Sequence, residues 1–220
     1  TLGTLSMGMA HEFNNLLMTI INQADMALIS DREEKMRQAL EKTMTCGEQA
    51  STMIRSMLGF AKSTDNATRR VVAAELMTDA VSLLGRDLKK DGIKVECEFD
   101  ESLQVDVAPT EMTQVLLNLI INARHAMSDG GGTLHLRVYG DDSYVSLEVA
   151  DTGVGIDAEH MGMLFEPFFT ARQESSAVVG GTGLGLWLVR TIARNCNGDV
   201  SVVSRPGQGA TFTVYVPEAD

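Results

Sequence analysis

The chain is poor in cysteine. Cys46, Cys97 and Cys196 are its only three, far apart, with no C-x-x-C pair and no His/Cys cluster. That spacing argues against a zinc site or a disulfide framework and makes a reducing, cytosolic setting the default. Long apolar runs are missing too, and no stretch approaches the ~20 residues that a membrane-spanning helix needs. Positive charge is scarce: 18 Lys and Arg stand against 30 Asp and Glu, for a net charge of −12. A chain this acidic is unsuited to wrapping nucleic acid. Internal repeats and low-complexity segments are also lacking.

What is there fits one large domain or two small ones: 220 residues with an ordinary 44% hydrophobic content. The charge is unevenly spread. Residues 1–64 carry a net of −1 and residues 65–220 a net of −11, a step that supports two domains. The sequence opens on Thr1 inside what reads as a helix, so a fragment of a longer protein is expected.

From Leu2 to Leu28, apolar residues recur at helical spacing through Leu5, Met9, Phe13, Leu16, Leu17, Ile20, Ile21, Ala24 and Leu28. Ile29–Glu33 breaks the pattern. Ser30 or Asp31 can cap a second helix, with Glu33 and Glu34 favourable in its first turn. That helix runs to about Lys62, with an apolar stripe through Leu40, Thr43, Gly47, Ala50, Ile54, Met57, Leu58 and Ala61. Two such helices make an antiparallel hairpin, which cannot bury both sides of its stripe alone. Pairing two hairpins into a four-helix bundle solves this, so a homodimer through residues 1–64 is expected. The many methionines suit a repackable core.

Ser63–Arg70 is polar and reads as a linker, with residues 65–70 as its centre. Beyond it, Val71–Leu84 reads as a helix, Lys94–Phe99 as a strand and Leu103–Val107 as a short one. Thr110–Met127 is a strongly apolar helix. Thr133–Tyr139 and Tyr144–Ala150 form a hairpin, Leu184–Asn195 a helix, and Asp199–Ser204 with Ala210–Val216 a closing hairpin. The expected class is therefore α+β, with residues 71–220 a sandwich of a mixed sheet covered by helices on one face.

Three features carry chemistry in that second domain. Asp151-Thr152-Gly153-Val154-Gly155 and Gly181-Thr182-Gly183-Leu184-Gly185 are glycine-rich signals of the kind that let backbone N–H groups approach phosphate. The Asp151 carboxylate can accept a hydrogen bond from an adenine amino group. Asn118 and Asn122, one helical turn apart, can present amide oxygens to a hard cation such as Mg²⁺. Together these describe an ATP site. In the first helix, His11 lies beside the apolar seam. Glu12 can accept its Nδ1 proton, leaving Nε2 nucleophilic. Asn15, one turn along, could orient a water for a hydrolytic step.

The Met9–Asn15 segment resembles the phosphoacceptor box of sensor histidine kinases, and the rest of the chain resembles that family in order. Leu117–Ala123 looks like its N box, Asp151–Ile156 its first glycine box, Phe165–Thr170 its F box and Gly181–Leu186 its second glycine box. The resemblance implies a GHKL-type ATP-binding fold and carries roles onto these positions. His11 would be phosphorylated, with Glu12 its general base. Asn122 would be the principal Mg²⁺ ligand, with Asn118 in support and His125 near the phosphates. Asp151 would bind adenine, with Thr211 beside it, and Gly153 and Gly155 would form the adenine-side turn. Gly181, Thr182, Gly183, Leu184 and Gly185 would meet the phosphates. Residues 157–180 would cover ATP as a lid, anchored by Phe165, Phe168 and Phe169.

Three positions depart from the family's commonest pattern. Arg172 stands where lysine is usual, His125 where another polar group is usual, and Trp187 where a small residue is usual. The function implied is autophosphorylation of His11 from ATP, then phosphoryl transfer to an aspartate of a response-regulator receiver domain, with Asn15 available for a reverse phosphatase step. The alternative is a histidine phosphotransfer adapter that has lost ATP binding. It predicts loss of Asn122, Asp151 or the glycines, all of which are present. A chaperone or mismatch-repair ATPase would lack the histidine hairpin.

Overall fold

The computed structural model describes the backbone of residues 2–61, 67–141, 143–170 and 183–219. Side chains are described within those ranges apart from 2–13, 15, 16, 45, 48, 49 and 51–61. The chain divides into two compact units, Thr1–Lys62 with Pro167–Leu184, and Ser63–Glu166 with Gly185–Asp220.

The first unit is built on α1 (Leu2–Ile29) and α2 (Glu33–Ala61), packed against each other as a hairpin. Glu33 and Glu34 sit in the first turn of α2, where the helix dipole favours negative charge. Ser30 Oγ accepts the Arg32 N–H at 3.4 Å just ahead of that turn. Among the described side chains the ones buried between the helices are small: Ala27, Ala39, Cys46 and Ala50. Leu17, Ile21, Leu28, Met36, Leu40 and Met44 stand exposed. Within the single chain α2 turns Ala39, Cys46 and Ala50 inward with Thr43 half-buried, while Leu40 and Gly47 of the expected stripe are exposed. Met18, Met26 and Met44 are exposed rather than part of a core within the single chain.

The second unit holds β1 (Arg69–Val72), α3 (Ala73–Lys90), β2 (Ile93–Phe99), β3 (Gln104–Val107), α4 (Pro109–Ala126), β4 (Gly132–Gly140), β5 (Tyr144–Asp151), α5 (Gly185–Asn195), β6 (Asp199–Ser204) and β7 (Ala210–Pro217). Five strands form one mixed sheet in the order β2-β4-β5-β7-β6, parallel only between β2 and β4. Its core-facing residues alternate along each strand: Leu134, Leu136 and Val138, then Val145, Leu147 and Val149, then Phe212, Val214 and Val216. They share one buried cluster with Met77 and Leu88 of α3, Met112, Leu116, Leu119 and Ile120 of α4, and Val189 and Ile192 of α5. The opposite face carries polar ladders such as Glu98–Arg137–Glu148. The expected sandwich is therefore the one found.

One element differs from its expected form. Arg69–Val72, read from sequence as the end of a linker and the start of a helix, is a strand paired antiparallel with β3, and the helix begins only at Ala73. The Arg70 guanidinium reaches the Asp106 carboxylate at 3.2 Å, and adjacent Val71 and Val72 suit extended backbone better than a helix start. β1 and β3 form a separate two-stranded sheet. Among the described residues no helix is long and apolar enough to cross a membrane.

Candidate active site

Asp151 closes β5 and is buried. Its Oδ1 accepts the Gly153 N–H at 2.8 Å. Burial pushes its carboxyl above the ordinary value, and hydrogen bonds from the Gly153 and Ala210 backbones act against that rise. A buried carboxylate held by the Gly153 N–H is a rigid acceptor for an exocyclic amino group. The chain beyond it is pressed against its surroundings. A Cβ on Gly153 would run into the Ala126 carbonyl at the end of α4, and one on Gly155, at φ +71°, would run into the Arg205 carbonyl. These glycines are required by close protein packing, which then fixes the turn beside Asp151. Val154 N–H donates to Ala126 O at 3.1 Å, and Gly207 N–H to Val154 O at 2.7 Å. Thr211 lies on β7 directly opposite Ala150, one position from Asp151, so it belongs to the same corner.

Helix α4 supplies the second group. Pro109 occupies its first turn, Glu111 complements the positive end, and Arg124 with His125 the negative end. Met112, Val115, Leu116, Leu119, Ile120 and Ala123 face the core. Asn118, Asn122 and His125 fall at i, i+4 and i+7 on a half-buried neighbouring face. Arg124 ties the end of this helix to Asp87 and Asp91 of α3. Gly185, the first residue of α5, lies beside Asn118: a Cβ there would stand 3.8 Å from the amide Oδ1. The Asn118 Nδ2 is buried and has no hydrogen-bond partner among the described residues. A buried amide left unpaired next to a helix N-terminus is costly unless a ligand meets it. That arrangement suits a phosphate oxygen, so the residues fit a nucleotide. No group of three or more metal-ligating side chains occurs among the described residues. A Mg²⁺ here would draw on one or two amides and on phosphate oxygens, which is how that ion is commonly held.

The remaining expected residues are placed in part. Phe168 adopts a left-handed φ of +67°, and its N–H donates to Gly183 O at 3.0 Å. Gly183 itself has φ +66°, and a Cβ there would collide with the Phe168 backbone. The F box and the second glycine box thus meet at their ends. Leu184 is buried and precedes α5 rather than starting it. Phe165 packs against the core, with the Arg190 guanidinium 5.3 Å from its ring centroid. Trp187 is a core-packing residue of α5. Arg172, Gly181 and Thr182 lie outside the described residues, as does much of the expected lid. His11, Glu12 and Asn15 lie in α1, and their side chains are outside the described ones. An open cavity of about 500 Å³ lined by Glu98, Asp100, Arg137 and Tyr139 shares none of these residues.

Sequence reasoning missed the turn between β6 and β7. Pro206-Gly207-Gln208-Gly209 reads as a simple hairpin turn, yet it packs on the Asp151–Ile156 segment, about 50 residues upstream. Two glycines in four residues were the only local signal.

Comparison with known proteins agrees with this geometry. The family described as histidine kinase-, DNA gyrase B- and HSP90-like ATPase matches residues 107–220, and the His Kinase A (phospho-acceptor) domain matches residues 1–66. The sensor kinase CckA of Brucella abortus is 32% identical over 98% of this chain and 24% of its own length. The sensor histidine kinase ZraS of Escherichia coli is 29% identical over 98% of this chain and 45% of its own length. The chain thus spans a quarter to under half of these relatives. The solved histidine kinase ThkA, in complex with the response regulator protein TrrA, shares the fold at a TM-score of 0.77 and 23% identity, covering 99% of this chain and 62% of that one.

Proposed function

Because the chain belongs to the family of histidine kinase-, DNA gyrase B- and HSP90-like ATPases and carries a histidine kinase phosphoacceptor domain, we propose that it is the catalytic core of a sensor histidine kinase that phosphorylates His11 from ATP and passes the phosphoryl group to a receiver-domain aspartate. The observation that carries this reading is the corner where Asp151, α4 and the start of α5 meet, with the unpaired Asn118 amide between the last two. Residues 1–64 are assigned to dimerisation and phosphoacceptance and the following polar stretch to the linker, with nucleotide binding beginning at the strand Arg69–Val72 rather than at residue 71.

Asp151 accepts the adenine amino group, with Thr211 beside it. Gly153 and Gly155 set the turn that aims the carboxylate. Asn118 and the N-terminus of α5, with Gly181, Thr182, Gly183, Leu184 and Gly185, take the phosphates, and His125 and Arg172 add donors there. Asn122 is the residue that would hold Mg²⁺, which when bound neutralises phosphate charge during an in-line transfer. His11 attacks through Nε2, and Glu12 takes up the Nδ1 proton so that the ring stays nucleophilic. Asn15 orients water for the reverse, phosphatase reaction.

The exposed apolar side of the hairpin, from Leu17 and Ile21 to Leu40 and Met44, fits a second copy of this chain and a four-helix bundle. The histidine kinase ThkA, solved in complex with the response regulator protein TrrA, supports a receiver domain as the second partner. Cys46, Cys97 and Cys196 are all free thiols, in keeping with a cytosolic segment. The test is transfer. Phosphorylated chain freed of ATP is mixed with a receiver domain, and label should move to the receiver within minutes. Retention of label on the chain with every receiver tried would remove the second half of the proposal.

A further inference from the structure

Ser204 ends β6, more than fifty residues past Asp151 in sequence, and belongs to none of the boxes that carry the family resemblance. Its side chain is half-buried and makes two good hydrogen bonds. Oγ accepts the Ile156 N–H at 2.9 Å and donates to Gly209 O at 2.7 Å. Ile156 ends the segment that begins at Asp151. Gly209 ends the β6–β7 turn, at φ +75°, and lies so close to Asp151 that a Cβ there would collide with the Asp151 carbonyl. The backbone N–H of the next residue, Ala210, favours the ionised form of the Asp151 carboxyl.

We infer that Ser204 is a positioning residue for base recognition: by joining Ile156 to Gly209 it locks the β6–β7 turn over Asp151 and so fixes where that carboxylate points. The inference rests on the nucleotide site proposed above. A hydroxyl is needed because one atom must accept from an N–H and donate to a carbonyl at once, which no apolar side chain and no amine does. Removing it leaves a backbone donor and a backbone acceptor unpaired together, and the turn slides. The Ala210 N–H then no longer holds Asp151 in line.

The test compares binding of ATP with binding of purine riboside triphosphate, which lacks the amino group that Asp151 would read. The wild-type chain is expected to prefer ATP by about tenfold, the worth of a hydrogen bond to a charged group. Ser204→Ala should lose most of that preference, while Ser204→Thr, which keeps the hydroxyl, should retain it. A purely structural role would lower the melting temperature of Ser204→Ala and leave the ratio unchanged, and that result would overturn the inference. So would a Thr variant as impaired as the Ala one. Should Ser204→Ala fail to fold, Ser204→Val, which has the shape of the Thr variant without its hydroxyl, takes its place, and an unchanged ratio there would count against the inference equally. A wild-type chain that binds neither triphosphate would instead contradict the nucleotide site itself, while wild-type binding with equal affinity for both would overturn the base-recognition role.

Discussion

The hairpin and the nucleotide-binding unit solve the burial problem in opposite ways. In the hairpin the small residues Ala27, Ala39, Cys46 and Ala50 are inside, and large ones such as Ile21, Leu28 and Leu40 are outside. In the nucleotide unit large side chains such as Met77, Leu119 and Leu147 are fully buried. One region buries these large side chains within a single chain, and the described part of the other leaves several of its own exposed. On the function proposed above, the difference makes the stability of the nucleotide unit intrinsic and that of the hairpin dependent on the second copy proposed to cover it.

The comparison breaks most visibly if the nucleotide core is hollowed. Leu147→Ala should cost about 3 kcal/mol of unfolding free energy, measured by denaturant titration, with no dependence on protein concentration. At the hairpin, Ile21→Glu should convert dimer to monomer in sedimentation while nucleotide binding stays within about twofold of wild type. Equal loss of nucleotide binding would show that the two regions are not separable.

Asp151 sharpens the contrast through pH. Its folded carboxyl titrates above the ordinary carboxylate value because it is buried. Between the unfolded and folded pKa values the folded state therefore binds more protons. This group's contribution to stability is greatest below the unfolded value and declines as pH rises through the folded one. Binding runs the other way. The ionised carboxylate is the better acceptor for adenine, so ADP affinity should fall as pH drops through the raised pKa. Asp151→Asn should remove that acid limb and weaken ADP roughly tenfold, read by calorimetry. The smallest effect is expected on the polar face of the sheet. Lys94 and Glu96 form an exposed pair, and Lys94→Ala should shift stability by no more than about 0.5 kcal/mol.

Elements whose patterns are local were legible in the sequence. The alternation of Thr133–Tyr139, the apolar helix over Thr110–Met127 and the closing hairpin all appear where the residues put them. Arg69–Val72 was misread because its strand exists only through pairing with Gln104–Val107, a contact across 35 residues that leaves no local mark. Helical spacing shows the apolar stripe of α2 but not which flank of it α1 covers, so the exposure of Leu40 and Gly47 in the single chain has no local mark. The site was legible where a residue type declares its chemistry, as at Asp151 and the pair Asn118 and Asn122. Ser204 and Gly209 were not legible, since a serine and a glycine near a turn look alike whether or not they hold a distant loop.

The central claim is that ATP bound in the second unit phosphorylates a histidine in the first. The most direct test incubates the chain with γ-labelled ATP and Mg²⁺ beside His11→Ala and Asn122→Ala. The account predicts acid-labile, alkali-stable label on the wild type and none on either variant. Undiminished label on His11→Ala, or none on a folded, dimeric wild type, would contradict it.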